Sequence, residues 1–235
     1  MISDGMPPHL MRLHEDEAAG VTDNPLLMVA SLVMAGLMVV AITSNPIAKG
    51  MDVGDRAPEL VSEAYDGAGW ATFDLKSYFN DSWVEGQRGS WVVIEFLDTD
   101  CPYCIRDAPK MGDWDAFFDE DNPDWGNEDV QFVAVAVELK ITGHDSSREE
   151  IQAFRDKTPG YSCANQQCDS RDGTPHDFPY VDDLKRKAAD DWKLPGTPYY
   201  VVIQPDGIVA WNTDVKRPGL DNAGEALMSL AVVDV

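Results

Sequence analysis

The sequence predicts an α/β domain in which helices flank a mixed central β-sheet, preceded by one N-terminal transmembrane helix. Two apolar runs rich in β-branched residues, 90–97 (SWVVIEFL) and 130–139 (VQFVAVAVEL), are typical of buried central strands. A helical pattern follows each run, at 101–118 and from Ser146 or Ser147 to about residue 157. Near the C-terminus, Pro205-Asp206-Gly207 separates two more apolar runs and predicts an antiparallel hairpin.

The remaining elements of the domain are shorter. Apolar residues alternate in part of 70–78, as in a short strand, and residues 183–192 and 222–231 have helical patterns. Either serine of Ser146-Ser147 has a glutamate three residues later, which is the capping-box signature of a helix start. Residues 158–177 are rich in Gly, Ser, Asp, Asn and Pro, and we expect them to form a loop insertion.

The N-terminal quarter of the chain has a different composition. Residues 24–48 carry no charge, and the run at 26–42 is almost entirely apolar. With its flanks this run reaches roughly the 20 residues that a bilayer span needs, so we predict a transmembrane anchor at 25–45. A flexible tail at 1–24 would precede it, a linker at 46–55 would follow, and the globular domain would occupy 56–235. A cleaved signal peptide and a buried helix are the alternatives.

The charge balance excludes one large class of partner. The sequence contains 42 acidic and 18 basic residues, which gives a formal net charge of −24. Such a field repels phosphate backbones and anionic lipid head groups, so we expect no nucleic-acid partner.

The four cysteines form two close pairs, Cys101 with Cys104 and Cys163 with Cys168. The first pair, in Cys101-Pro102-Tyr103-Cys104, directly follows a predicted buried strand and opens a helix. The positive end of a helix dipole lowers the pKa of a cysteine placed there and makes it a nucleophilic thiolate. A structural disulfide and half of a zinc site are the alternatives, but the second pair has the wrong spacing for a zinc ribbon.

Around this motif the sequence resembles the thioredoxin superfamily, specifically its membrane-anchored TlpA/ResA-like thiol–disulfide oxidoreductases. The resemblance covers roughly residues 53–231. It rests on the entry segment 53–60 (VGDRAPEL), the strand and motif 92–104 (VVIEFLDTDCPYC), Pro109 in the following helix, and 194–198 (LPGTP) before a strand. Two positions depart from the family: Asp100 replaces the usual Trp before the first cysteine, and Pro-Tyr is more typical of glutaredoxins.

The resemblance and the chemistry of thiols together predict a role for each site residue. Cys101 would be the exposed attacking sulfur, and Cys104 the deeper sulfur that resolves the mixed disulfide. Glu95, on the central strand, would be the buried acid that accepts the proton of Cys104; its alternative is a solvated position at a sheet edge. Pro198 would be cis, with a trans turn proline as the alternative, and Thr197 would pair through its main chain with an extended substrate. Pro102 and Tyr103 would also contact the substrate.

For the second pair, Cys163 and Cys168, we predict a structural disulfide that closes the polar insertion. A second redox pair and a metal site with His144 or His176 are the alternatives. No metal and no cofactor beyond the Cys101–Cys104 disulfide is expected.

Three acidic residues, Asp98, Asp100 and Asp107, surround the motif with Arg106 as the one base. Negative neighbours oppose a thiolate, and a less stabilised thiolate makes the disulfide couple more reducing. We therefore predict a reductant or isomerase.

The predicted function is a membrane-anchored thiol–disulfide oxidoreductase on the extracytoplasmic side of the cell membrane. The resemblance implies apocytochromes c or other secreted proteins as clients and a transmembrane thiol carrier as electron donor. One alternative is a copper chaperone that uses the motif with His144. The other is a peroxiredoxin-type thiol peroxidase, although that family needs Thr three residues before the nucleophile, where this chain has Asp98.

Overall fold

The computed structural model describes residues 25–43, 47–119, 121–125, 128–141, 143–163 and 166–231. The chain divides into two units, residues 1–46 and residues 47–235. In the first unit, helix α1 spans Pro25–Thr43, within the segment where we predicted a transmembrane anchor. Among the described residues, no helix has the length and apolar character needed to cross a membrane. The predicted tail at 1–24 lies outside the described residues.

The second unit contains a seven-stranded mixed sheet and four helices among its described residues. Its strands and helices in chain order are β1 (Val61–Tyr65), β2 (Trp70–Asp74), β3 (Ser90–Leu97), α2 (Pro102–Phe117), β4 (Asp129–Val137), α3 (Arg148–Asp156), β5 (Ser162–Cys163), β6 (Gln166–Gln167), β7 (Tyr180–Asp183), α4 (Lys187–Asp191), β8 (Tyr199–Ile203), β9 (Val209–Asn212) and α5 (Ala223–Leu230). The sheet order is β2-β1-β7-β4-β3-β8-β9, and β5 and β6 form a separate small hairpin. This is the predicted thioredoxin-like α/β architecture.

Strand β3 lies between β4, to which it is parallel, and β8, to which it is antiparallel. Its side chains alternate between two cores, as a strand with both faces buried requires. Val93 and Leu97 pack with residues of α2, α3 and α5, whereas Ile94 and Phe96 pack on the opposite face with residues of α4. Glu95, between them, therefore faces the side of the sheet that carries α2.

Helix α3 begins as its sequence predicted. Ser147 accepts a hydrogen bond from the backbone N–H of Glu150, whose carboxylate accepts one from the N–H of Ser147, so the capping box is complete.

The predicted helix at 183–192 is wrong at its start. Asp183 ends strand β7, and its carboxylate accepts hydrogen bonds from the backbone N–H groups of Ala188 and Ala189 in α4. The side chain thus stabilises the helix start from outside the helix, and the helix itself is only five residues long.

The predicted loop at 158–177 contains regular structure. The β5–β6 hairpin and a 3-10 helix, Cys168–Ser170, lie within it. Arg171 follows and is buried, donating hydrogen bonds to the backbone oxygens of Phe154, Arg155 and Thr174. The polar composition of the segment did not predict these elements, because a buried arginine and a disulfide hold them in place of apolar side chains.

Candidate active site

The first cysteine pair lies where β3 gives way to α2. Cys101 is the N-cap of α2 with extended backbone angles, and Pro102 occupies the first helical turn. Proline suits that place because the first N–H groups of a helix have no partner within it. The backbone N–H of Cys101 donates to the carbonyl of Asp98, 2.9 Å away, which closes the turn. The unpaired N–H groups of the first turn therefore point toward the Cys101 sulfur.

Both thiols of the pair are free and buried. The Cys101 pKa is lowered to about 6, first by a hydrogen bond from the Cys104 thiol and also by the backbone N–H groups of Cys104 and Tyr103, against the effect of burial. Burial and the hydrogen bond to Cys101 raise the pKa of Cys104 well above its ordinary value. At neutral pH the first sulfur is thus a thiolate and the second a thiol.

The expectation of an exposed Cys101 is wrong, since the residue is only 2% exposed. The loop before β8 approaches it, and the Cys101 sulfur lies 3.5 Å from the carbonyl oxygen of Thr197. That loop comes from a part of the chain 96 residues away, so the spacing of the motif alone could not show the burial. The Cys101 sulfur thus lies between the start of α2 and this loop.

The same loop contains the Thr197–Pro198 peptide bond, which is cis. Thr197 and Pro198 are half-buried, and strand β8 starts at the next residue. The Thr197 Oγ1 atom is buried and has no hydrogen-bond partner among the described residues. The loop thus places the backbone carbonyl of Thr197 beside the Cys101 sulfur.

Pro102 and Tyr103 form the exposed rim of the site. Both are exposed, and Tyr103 keeps 60% of its surface accessible. The Arg106 guanidinium lies 5.1 Å from the centroid of the Tyr103 ring, a cation–π distance. The motif thus presents an exposed aromatic ring, whereas both of its sulfurs are buried.

Glu95 is buried in the centre of the sheet, and its predicted alternative at a solvated sheet edge is wrong. It is 1% exposed, and burial raises its pKa to about 8. Oε1 accepts a hydrogen bond of 3.0 Å from the Tyr200 hydroxyl, whereas Oε2 has no partner among the described residues. The negative charge of Glu95 also raises the pKa of Cys104. A carboxyl that titrates near neutral pH beside a buried thiol can exchange a proton with it.

The three acidic neighbours of the motif do not oppose the Cys101 thiolate as we expected. The carboxylate of Asp98 accepts hydrogen bonds from the backbone N–H groups of Asp100 and Leu139, and Asp107 pairs with Arg106 and Lys110. None of the three is among the chief influences on the Cys101 pKa. The acids are engaged elsewhere, which the one-dimensional count of charges could not reveal.

His144 belongs to this network of acids. Its Nδ1 lies 3.0 Å from an Asp100 oxygen and its Nε2 3.4 Å from a Glu150 oxygen, and the hydrogen bond with Asp100 raises its pKa. The described residues contain no cluster of three or more His, Cys, Asp or Glu side chains suited to a metal ion. The histidine thus contacts two carboxylates, one directly before the motif and one in α3.

Cys163 and Cys168 are joined by a disulfide. Both residues are fully buried and pack in the same core as Ile151 and Phe154 of α3. The bond closes the β5–β6 hairpin. His176, considered above as a metal ligand, is buried with Nδ1 2.7 Å from the Tyr180 hydroxyl and Nε2 3.1 Å from the Ala108 carbonyl.

Tyr200 is the site residue that the sequence analysis missed. Glu95 and Tyr200 are paired across β3 and β8. Tyr200, two residues after Pro198, faces the same side of β8 as Val202. Recognising it required knowing the strand register.

Comparison with known proteins gives the family of the chain. A model of the AhpC/TSA family matches residues 53–212. No curated protein sequence matches significantly.

Several solved structures align with this chain, and the first two of the following three share its fold. An uncharacterised conserved protein from Geobacillus kaustophilus aligns over 77% of this chain and 80% of its own, at 16% identity and a TM-score of 0.53. A protein assigned as the thiol:disulfide interchange protein DsbE from Chlorobium tepidum aligns over 77% and 99%, at 18% identity and a TM-score of 0.50. A 2-Cys peroxiredoxin from Plasmodium vivax aligns over 68% and 70%, at 19% identity and a TM-score of 0.43.

Proposed function

The chain belongs to the AhpC/TSA family of thioredoxin-fold proteins, and on that premise we propose that it exchanges disulfides with cysteines of other proteins through Cys101 and Cys104. The observation that carries the proposal is the contrast between the two thiols. Cys101 has a pKa lowered to about 6, while burial raises that of Cys104. A thiolate nucleophile followed by a protonated, buried resolving thiol is the arrangement that two-step disulfide exchange requires.

The reaction runs in two steps that together move two electrons. The Cys101 thiolate attacks one sulfur of a client disulfide, so that a Cys101–client bond forms and the second client sulfur leaves as a thiolate. Cys104 then gives its proton to Glu95 and attacks the Cys101 sulfur, which releases the first client sulfur as a thiolate. The enzyme becomes the Cys101–Cys104 disulfide, and the client thiolates take up protons from water. A dithiol donor must then restore the reduced enzyme.

We propose the reducing direction for this exchange. The Cys101 pKa of about 6 is much nearer to that of thioredoxin, about 7, than to that of the oxidant DsbA, about 3.5. We therefore expect a reduction potential closer to about −270 mV than to about −120 mV. The support is the modest stabilisation of the thiolate, not the surrounding acids on which the sequence argument relied.

The TlpA/ResA-like assignment adds a location and partners to the proposal. The support is the set of motifs at 53–60, 92–104 and 194–198 and the uncharged segment 24–48, together with the Cys163–Cys168 disulfide, which suits an oxidising compartment. In this proposal the redox domain is tethered on the extracytoplasmic side, a transmembrane thiol carrier donates electrons, and secreted proteins such as apocytochromes c are clients. Carbonate extraction of the full chain should leave it with the membranes, and deletion of residues 25–43 should release it. Full-length protein in the soluble fraction would contradict the tether.

Insulin reduction tests the chemistry. With dithiothreitol as electron source, the full chain should precipitate insulin faster than dithiothreitol alone, and Cys101→Ser should remove the gain. The double variant Cys163→Ser/Cys168→Ser is the matched control and should keep it. Faster oxidation of the reduced protein by hydrogen peroxide than by insulin would indicate a thiol peroxidase instead. Retention of Cu(I) by the motif in competition with a chelator, without insulin reduction, would indicate a copper chaperone.

A further inference from the structure

The Tyr200 hydroxyl is the one polar group that hydrogen-bonds the Glu95 carboxyl among the described residues. The two residues face each other across the antiparallel pair β3–β8, and the hydroxyl donates to Oε1 over 3.0 Å. Tyr200 is 8% exposed and Glu95 1% exposed. A hydrogen bond in such an interior is stronger than one at the surface, and its loss leaves a buried acceptor unpaired.

The tyrosine itself is held in place on two sides. Its backbone N–H donates to the Thr213 hydroxyl, 2.8 Å away. Its ring meets the edge of Trp114, which lies on α2, at a centroid distance of 5.8 Å and an angle of 78°. The position of the hydroxyl is thus fixed by both the neighbouring loop and the helix that carries Cys104.

The two carboxyl oxygens of Glu95 have different surroundings. Oε1 is occupied by Tyr200, whereas Oε2 is buried and has no hydrogen-bond partner among the described residues. Leaving a buried carboxylate oxygen unpaired costs stability, and a role in the reaction is one explanation for such an atom in a native structure. Cys104 lies on the same side of the sheet, in the core formed with Val93 and Leu97.

We propose that Tyr200 is a positioning residue for disulfide exchange, holding Glu95 by Oε1 so that Oε2 takes the proton of Cys104. The inference rests on the proposed function. In the step concerned, the proton passes from Cys104 Sγ to Oε2 while Sγ forms its bond with the Cys101 sulfur. The Cys101–client bond breaks, and the client sulfur leaves with its electron pair and is protonated by water. The Tyr200 proton stays on its own oxygen throughout.

The same contact adjusts the acidity of the carboxyl. Burial raises the Glu95 pKa to about 8, and the hydrogen bond from Tyr200 opposes that rise because it stabilises the ionised form. Asp107 and Cys101 act in the other direction, since their negative charges raise the pKa, whereas the positive charge of Arg171 lowers it. Without the hydroxyl, less Glu95 is ionised at neutral pH and less is ready to accept the proton.

The variant Tyr200→Phe tests this role in the full-length protein. We expect the pH profile of insulin reduction to move up by about one unit and the rate at pH 7 to fall about tenfold, with most of the rate recovered at high pH. Tyr199→Phe is the matched control. It is the adjacent residue on β8, faces the other core, and bonds Asp214 at 2.9 Å, so its profile should equal that of the wild type.

A second measurement keeps the inference separate from the proposed function. In protein labelled with ¹³C at the glutamate carboxyls, the Glu95 signal, assigned with Glu95→Gln, should titrate near pH 8 and at higher pH in Tyr200→Phe. An unchanged titration, or a rate reduced by the same factor at every pH, would overturn the role of Tyr200. Failure of the wild type to reduce insulin would overturn the proposed function, and the carboxyl titration would still decide the positioning.

Discussion

The burial of Glu95 predicts a large and specific dependence of stability on pH. Its pKa rises from 4.5 to about 8 on folding because the carboxyl is desolvated. Below pH 4.5 the group is neutral in both the folded and the unfolded chain and costs nothing. Between pH 4.5 and pH 8 it ionises only in the unfolded chain, so the folded state loses relative stability as the pH rises. The difference between the two pKa values corresponds to a loss of about 5 kcal/mol in the free energy of unfolding, at about 1.4 kcal/mol per pH unit.

The variant Glu95→Gln removes this titration and keeps the size of the side chain. Urea unfolding of the variant and the wild type, both with Cys101 and Cys104 replaced by serine to exclude changes of redox state, isolates the effect. The difference cancels the contributions of the other acidic residues. Relative to the wild type, the variant should gain about 5 kcal/mol between pH 4.5 and pH 9. At a slope of about 2 kcal/mol per molar urea, its midpoint should rise by roughly 2.5 M.

A difference between variant and wild type that stays constant with pH would refute the reasoning. It would mean that the Glu95 carboxyl ionises at an ordinary pH in the folded chain and is therefore solvated. A difference that grows as the pH falls would contradict the direction of the shift itself.

Three further outcomes are expected from the site and its surroundings. The rate of Cys101 alkylation by iodoacetamide should rise with a midpoint near pH 6, and Cys104→Ala should move it upward by removing the S–H donor; an unmoved midpoint would contradict that contact. Replacing Cys163 and Cys168 together by alanine should lower the free energy of unfolding by about 2 kcal/mol, the loop-closure value for so short a loop, and a neutral result would show that the bond is dispensable. His144→Asn should destabilise the protein most below about pH 6.5, where the histidine is charged also in the unfolded chain, and less as the pH passes its raised pKa; urea midpoints that run parallel at all pH values would contradict the ion pair with Asp100.

The parts of the fold that follow from local pattern were predictable. Strand β3 and helix α2 carry continuous signals in the sequence, namely a β-branched apolar run and a proline-led helix start. The hairpin of β8 and β9 follows from its Pro-Asp-Gly turn. In contrast, strand β7 has only four residues, too few for a periodic pattern, and was missed as a strand.

The parts of the site that depend on distant contacts do not follow from local pattern. Thr197, 96 residues from Cys101, was expected in the site only through the family resemblance, and Tyr200, 105 residues from Glu95, was not expected at all. The effect of the local acids on the Cys101 pKa was not predictable for the same reason. The Asp98 carboxylate, for example, accepts a hydrogen bond from the distant backbone N–H of Leu139. Charges adjacent in sequence influence a thiolate only according to the direction in which the fold points them.

The central claim is that Cys101 attacks and Cys104 resolves. Intact-mass analysis after mixing each reduced single variant with a disulfide-bonded peptide tests it most directly. Cys104→Ser should accumulate a one-to-one mixed disulfide mapped to Cys101, because nothing resolves it, and Cys101→Ser should stay unmodified at pH 7, where Cys104 remains a buried thiol. Equal labelling of both variants, or labelling of Cys101→Ser alone, would contradict the account.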